Sequence, residues 1–138
     1  MSYSVEDLKP GMSESFTKTV TEADIQAFGE VSGDMNPAHF DEAYAATTPF
    51  KTRIAHGMLS ASYISTILGM KMPGPGTIFM SLTVRFKAPV RIGETVVTTC
   101  TVRETVPEKR RVMFDCVCRV GDTVVVEGEA MVMAPKAA

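Results

Sequence analysis

The sequence predicts an α+β fold in which a strongly curved antiparallel sheet wraps one long buried helix. Three observations carry that expectation. Residues 57–70, "GMLSASYISTILGM", contain no charged side chain, so the segment reads as a helix covered on every side rather than an amphipathic one. Most of the chain after it consists of runs rich in β-branched and aromatic residues. Short segments with turn chemistry separate those runs, which makes neighbouring strands antiparallel hairpin partners.

Taken in order, residues 14–20, "ESFTKTV", alternate weakly and predict a first strand. Thr21 then reads as a helix N-cap, with Asp24 three positions on completing a capping-box pattern. Ile25, Phe28 and Val31 follow at near-helical spacing, and Gly33 supplies the C-terminal stop. The stretch "SGDMNPAHFD", residues 32–41, reads as a loop, because Pro37 biases Asn36 away from helix. Asp41 is placed to cap a short helix through "EAYAA", and "TTPFKTR" is a loop. The helix from Gly57 to about Met70 spans roughly 20 Å, too short for a bilayer. The segment "KMPGPG" ends it. Strands then follow in "TIFMSLTVRFKAPV", "VVTTCTVRETV", "RVMFDCVCRV" and "TVVVEGEAMVM", with turns at "RIGET", "PEKR" and "GD".

The totals narrow the classes of function. A chain of 138 residues fits a single domain, here residues 1–138, with no internal repeat, linker or low-complexity stretch. The hydrophobic fraction of 45% and charged fraction of 22% are those of an ordinary globular protein. A net charge of −2 gives no basic surface for nucleic acid. Lys109, Arg110 and Arg111 form the one small basic run, read as a solvated hairpin turn rather than a contact to a substrate phosphate. Cys100, Cys116 and Cys118 are odd in number and lack metal-ligand company, so they read as small packing residues in a reducing compartment. The first residues, "MSYSVEDLKPGM", carry no apolar signal-peptide core, and no run reaches membrane-spanning length; the expected location is the cytoplasm.

The residues with chemical potential cluster in "SGDMNPAHFD". Asp34 can orient and polarise a water, and His39 titrates near neutrality and can exchange a proton with a reacting atom. Such a pair suits addition or removal of water. An acyl substrate also needs a donor for its carbonyl oxygen, and the N–H groups at the start of a buried helix supply one at Gly57. Glycine there lets a thioester carbonyl approach the backbone. On spacing alone, Asp34 can equally be a turn residue and His39 a structural or surface histidine. His56 reads as a structural residue satisfying the orphan groups of the helix it precedes. Ser60, Ser62 and Ser65 can each bond the carbonyl one turn back. The sequence offers no Gly-x-Ser-x-Gly elbow, no dinucleotide or P-loop glycine motif and no cluster with metal-ligand spacing.

"SGDMNPAHFD" followed by "RIAHGMLSASYIS" resembles the MaoC-like, R-specific enoyl-CoA hydratases, in the form that supplies monomers for polyhydroxyalkanoate synthesis. The similarity extends over almost the whole chain, through "AYAATTPF", the turn at Met72-Pro73-Gly74, "FKAPV" and the "GEA-V" ending. The resemblance implies a hot-dog fold, a long helix wrapped by an antiparallel sheet. It implies a homodimer with sheets joined edge to edge and the acyl-CoA site near the subunit interface. Asp34 and His39 match the catalytic dyad. Gly57 matches the residue whose N–H binds the thioester oxygen, Asn36 the motif's loop-ordering asparagine, and Ser65 a serine that supports the dyad by hydrogen bonding. No metal or organic cofactor is implied, since coenzyme A is part of the substrate. Neighbouring activities within that superfamily are dehydratases acting on acyl carrier protein and acyl-CoA thioesterases. A non-catalytic acyl-CoA-binding module is the reading from a different class, and the intact Asp34, Asn36 and His39 argue against it.

Overall fold

The computed structural model describes residues 1–137. Strand β1 (Ser13–Thr19) leads into helix α1 (Glu22–Ser32), two short helices α2 (Pro37–Phe40) and α3 (Glu42–Ala45), and the long helix α4 (Gly57–Met70). Strands β2 (Ile78–Phe86), β3 (Thr95–Val106), β4 (Arg111–Val120) and β5 (Thr123–Met133) complete one five-stranded sheet of order β1-β3-β4-β5-β2. Every neighbouring pair is antiparallel. The predicted class is therefore observed, with β4 and β5 coinciding with their predicted runs and β1 displaced by one residue.

Local chemistry accounts for the helix boundaries. Thr21 and Asp24 form the reciprocal capping box: the Asp24 N–H donates to Thr21 Oγ1 at 3.1 Å, and the Thr21 N–H to Asp24 Oδ2 at 3.0 Å. Gly33 ends α1 at φ +80°, in the left-handed region that glycine enters without strain. The buried face of α1 runs through Ile25 and Gly29, with Phe28 packed beside it. Val31 is exposed, because two successive steps of three residues carry it about 120° round the helix from Ile25.

"SGDMNPAHFD" is not all loop. Asn36 caps a single helical turn by accepting the Ala38 N–H at 3.0 Å, and Pro37 opens that turn. Proline is excluded from helix interiors but suits the first position, where no N–H is needed and its fixed φ is already helical. His39 thus sits on a helix, which fixes its direction. Asp41 then caps α3 through the Tyr44 N–H, as expected.

Helix α4 lies across the concave face of the sheet. Leu59, Tyr63, Ile64, Ile67 and Leu68 are buried against alternate inward residues: Val96, Cys100 and Val102 of β3, Val112, Phe114, Cys116 and Cys118 of β4, and Val126, Ala130 and Val132 of β5. The helix is not covered all round within one chain. Met58, Ser62, Ser65 and Met70 are exposed and form an uncharged stripe on the side away from the sheet. The three cysteines are free and buried, with Cys100 and Cys116 facing each other across β3 and β4. The neighbouring Cys116 sulfur and burial push the Cys100 thiol up, and burial pushes up Cys118, so these sulfurs behave as packing groups.

Strand β2 is held to β5 by a close approach that only glycine permits. A Cβ on Gly128 would fall on the carbonyl oxygen of Thr83 and within 2.9 Å of the Val84 Cα. The other edge of β2 has no strand partner among the described residues, and Ile78, Phe79, Met80 and Phe86 are exposed along it. Lys109, Arg110 and Arg111 close the β3–β4 hairpin; Arg110 reaches the Ala134 carbonyl at 3.2 Å, and none of the three lines the cavity described next.

Candidate active site

The segment between α1 and α2 is shaped by its own polar groups. Ser32 Oγ donates to the Phe28 carbonyl at 2.6 Å and accepts the Asp34 N–H at 3.1 Å. Asp34 Oδ1 accepts the Asn36 N–H at 3.2 Å, and Asn36 caps α2. These are short-range turns of the kind that Ser, Asp and Asn make with nearby backbone. They leave the Asp34 carboxylate exposed to the cavity while its backbone is tied down. Asn36 thus bonds both to Asp34 and to the first turn of α2.

His39 is 8% exposed. Its Nδ1 lies 2.7 Å from the Ile54 carbonyl oxygen. A ring nitrogen facing a carbonyl oxygen must carry the proton, so Nδ1 is the donor and Nε2 keeps its lone pair. The Ile54 segment is itself fixed, by the Ala55 N–H bond to the Val90 carbonyl at 2.7 Å. Arg53 braces the same turn. Its Nε donates to the His39 carbonyl at 2.7 Å, and its other two nitrogens grip the Glu22 carboxylate at 2.7 Å each. That fork joins α2 to the start of α1.

Burial holds the His39 ring below the usual histidine range, opposed by the hydrogen bond to Ile54. The adjacent His56 adds to the depression, Asp34 opposes it, and Arg53 adds a little more. The ring is thus kept neutral where an exposed histidine would start to charge.

His56 is the residue whose place the sequence did not reveal. Its side chain makes no capping bond to α4. It turns instead toward the Asp34 segment, with Nε2 2.9 Å from the Asp34 carbonyl oxygen. Its ring stacks on His39 at 3.9 Å between centroids and 31° between planes. The partner carbonyl is 22 residues upstream, so no local pattern could have announced the contact. Arg53 and Glu22, 31 residues apart, are hidden for the same reason.

These groups line a cavity of about 370 Å³. Asp34, His39, His56 and Gly57 form its polar end, and Phe50, Ile54, Met58, Phe86, Val90 and Val126 supply apolar wall. Gly57 begins α4, where the first-turn N–H groups have no intrahelical acceptor. The Phe86 ring lies directly over it: a Cβ at Gly57 would be 2.7 Å from that ring. The site thus joins a carboxylate, an imidazole, the start of a helix and an apolar wall. One ligand atom each from Asp34, His39 and His56 lies within 4.8 Å of the others, so these three are the described residues that could share a metal ion. Ser65 is not brought here by the chain's own fold. It lies two turns into α4 on the exposed stripe and makes no hydrogen bond to Asp34 or His39 among the described residues.

Residues 7–125 match the sequence pattern of the MaoC like domain. The chain is 57% identical over 130 residues to an (R)-specific enoyl-CoA hydratase of Rhodospirillum rubrum, covering 94% of this chain and 90% of that protein. It is 49% identical to a 3-hydroxybutyryl-CoA dehydratase of Methylorubrum extorquens, covering 95% and 83%. Among solved structures, the unliganded R-hydratase PhaJ1 of Pseudomonas aeruginosa superposes with a TM-score of 0.91 at 44% identity, covering 97% of this chain and 86% of that one. The chain belongs to the MaoC-like family.

Proposed function

We propose that this protein is an (R)-specific enoyl-CoA hydratase, reversibly adding water to trans-2-enoyl-CoA to give (R)-3-hydroxyacyl-CoA in fatty-acid oxidation or polyhydroxyalkanoate precursor supply. The observation that carries the reading is the meeting of the Asp34 carboxylate, the His39 ring and the start of α4 at Gly57 in one cavity with apolar walls. The family and the activities named for its relatives agree with it.

The chemistry follows from the atoms. His39 Nε2, left unprotonated by the Ile54 bond, takes a proton from water as the water oxygen bonds to Cβ. Asp34 accepts the other O–H, holding the water in line and offsetting the charge that appears on the imidazole. The C=C electrons move toward the thioester, and the Gly57 N–H meets the growing negative charge on its oxygen. The proton on His39 is then delivered to Cα, so one water supplies both new bonds. No metal or organic cofactor has a step to perform, because the thioester already acidifies Cα. Asn36 and Ser65 stand as supporting residues, Asn36 through the α2 cap.

The proposed assembly is a homodimer. The unpaired β2 edge with exposed Ile78, Phe79, Met80 and Phe86, and the uncharged stripe on α4 next to it, are surfaces that a second copy would cover. Ser65 lies on that stripe, so its supporting role depends on the assembly. No helix among the described residues is long and apolar enough to cross a membrane, and the proposed location is the cytoplasm.

Purified protein should consume crotonyl-CoA, read as loss of the conjugated enoyl-thioester absorbance, without releasing free thiol. Asp34→Asn and His39→Gln should each lower kcat by at least about 100-fold while the fold is retained. An active double variant contradicts the mechanism.

The pH dependence has a definite sign. The folded His39 resists protonation below the ordinary 6.5, whereas the unfolded chain takes up that proton. Turnover should therefore hold steady as pH falls through 6.5 and decline only below it, while His39 withdraws stability over the same interval. An acid limb of kcat/KM centred above 6.5 opposes the neutral-base assignment.

Sedimentation at micromolar concentration should give twice the 14.9 kDa chain mass; a species of single-chain mass that still turns over substrate opposes the dimer.

A further inference from the structure

We propose that His56 is a positioning residue that sets the geometry of both dyad members at once; this rests on the hydratase reading above. Its ring is 2% exposed and flanked by Phe28 at 4.8 Å and Phe40 at 5.6 Å between centroids. One flat side stacks on His39 at 3.9 Å. Its Nε2 faces the Asp34 carbonyl oxygen at 2.9 Å, which makes Nε2 the protonated nitrogen. The next residue is Gly57. A single side chain therefore links the backbone of the carboxylate, the plane of the imidazole and the start of the helix that offers the N–H.

Space filling does not account for this. A phenylalanine would serve equally among Phe28, Phe40 and His39, yet it would leave the Asp34 carbonyl without its donor. Nor does helix capping account for it, since His56 makes no side-chain bond to the first turn of α4. The Asp34 side chain is exposed and bonded to the backbone only two residues along, so few packing contacts hold it. The local bonds of Ser32 and Asp34 shape the segment after Gly33 but do not join it to α4. The His56 donor is what pins that segment to α4 from across the chain. A shift of about 1 Å in a reacting group costs on the order of 100-fold in rate.

Two variants separate the donor from the ring. His56→Phe keeps the ring and removes the donor. His56→Gln loses the ring but presents an amide N–H near the position of Nε2. Steady-state kinetics on crotonyl-CoA should show kcat down about tenfold to 100-fold for the Phe variant, with KM within about twofold, because the loss falls on transition-state geometry rather than on binding. The Gln variant should return to within about fivefold of the parent kcat. Full activity in the Phe variant, a raised KM with unchanged kcat, or a Gln variant as slow as the Phe variant each overturn the proposal. Should the Phe variant not fold, the parent protein still gives a test: long-range proton–nitrogen NMR should find His56 protonated at Nε2, and a ring protonated at Nδ1 overturns the assignment. A parent protein without turnover defeats the hydratase reading itself; an active parent with an indifferent His56 defeats only this inference.

Discussion

A fourteen-residue helix without one charged side chain has to be covered, and that requirement organises the molecule. Water gains nothing from Leu59, Ile64 or Ile67, so the sheet curls over them, and alternate residues of β3, β4 and β5 turn inward to meet them. Covering the body of α4 leaves its start at the rim of the sheet. There the helix begins at Gly57, beside the cavity and beneath the Phe86 ring. The donor proposed for a thioester oxygen is thus a by-product of how the core is built. The rest of the site is assembled around that fixed point.

The proposed acid/base pair is oriented here by backbone carbonyls acting as acceptors. Ile54 takes the proton-bearing nitrogen of His39, and Asp34 takes that of His56. Each bond decides which nitrogen of its ring is left bare, and so decides what the ring can do. Burial then keeps His39 neutral. In the proposed mechanism the bare nitrogen of His39 and the exposed Asp34 carboxylate share one water.

How much of this the sequence disclosed depended on the range of the interaction. Helix α4 and strands β4 and β5 were legible because an uncharged run marks the helix, alternation marks β4, and a run rich in β-branched residues after a short turn marks β5. The Thr21–Asp24 cap was legible because both partners lie within one turn. Pro37 was read only as a breaker, although a proline at the first helical position starts a turn, and so α2 went unseen. The face of α4 that bears Ser65 was taken as covered but is exposed, because a lack of charge does not by itself bury a face. Asp34, Asn36, His39 and Gly57 could be named from a short motif. The cavity walls could not, since Phe50, Phe86 and Val126 meet only once the sheet has closed.

The central claim is that one water, held on one side of the substrate by Asp34 and His39, supplies both the oxygen at Cβ and the hydrogen at Cα. Hydration of crotonyl-CoA in heavy water, stopped early and resolved by proton NMR, reads this out as the relative configuration of deuterium at Cα and hydroxyl at Cβ. The account predicts a single diastereomer with both groups added to the same face. Addition to opposite faces, or an equal mixture of the two, contradicts it.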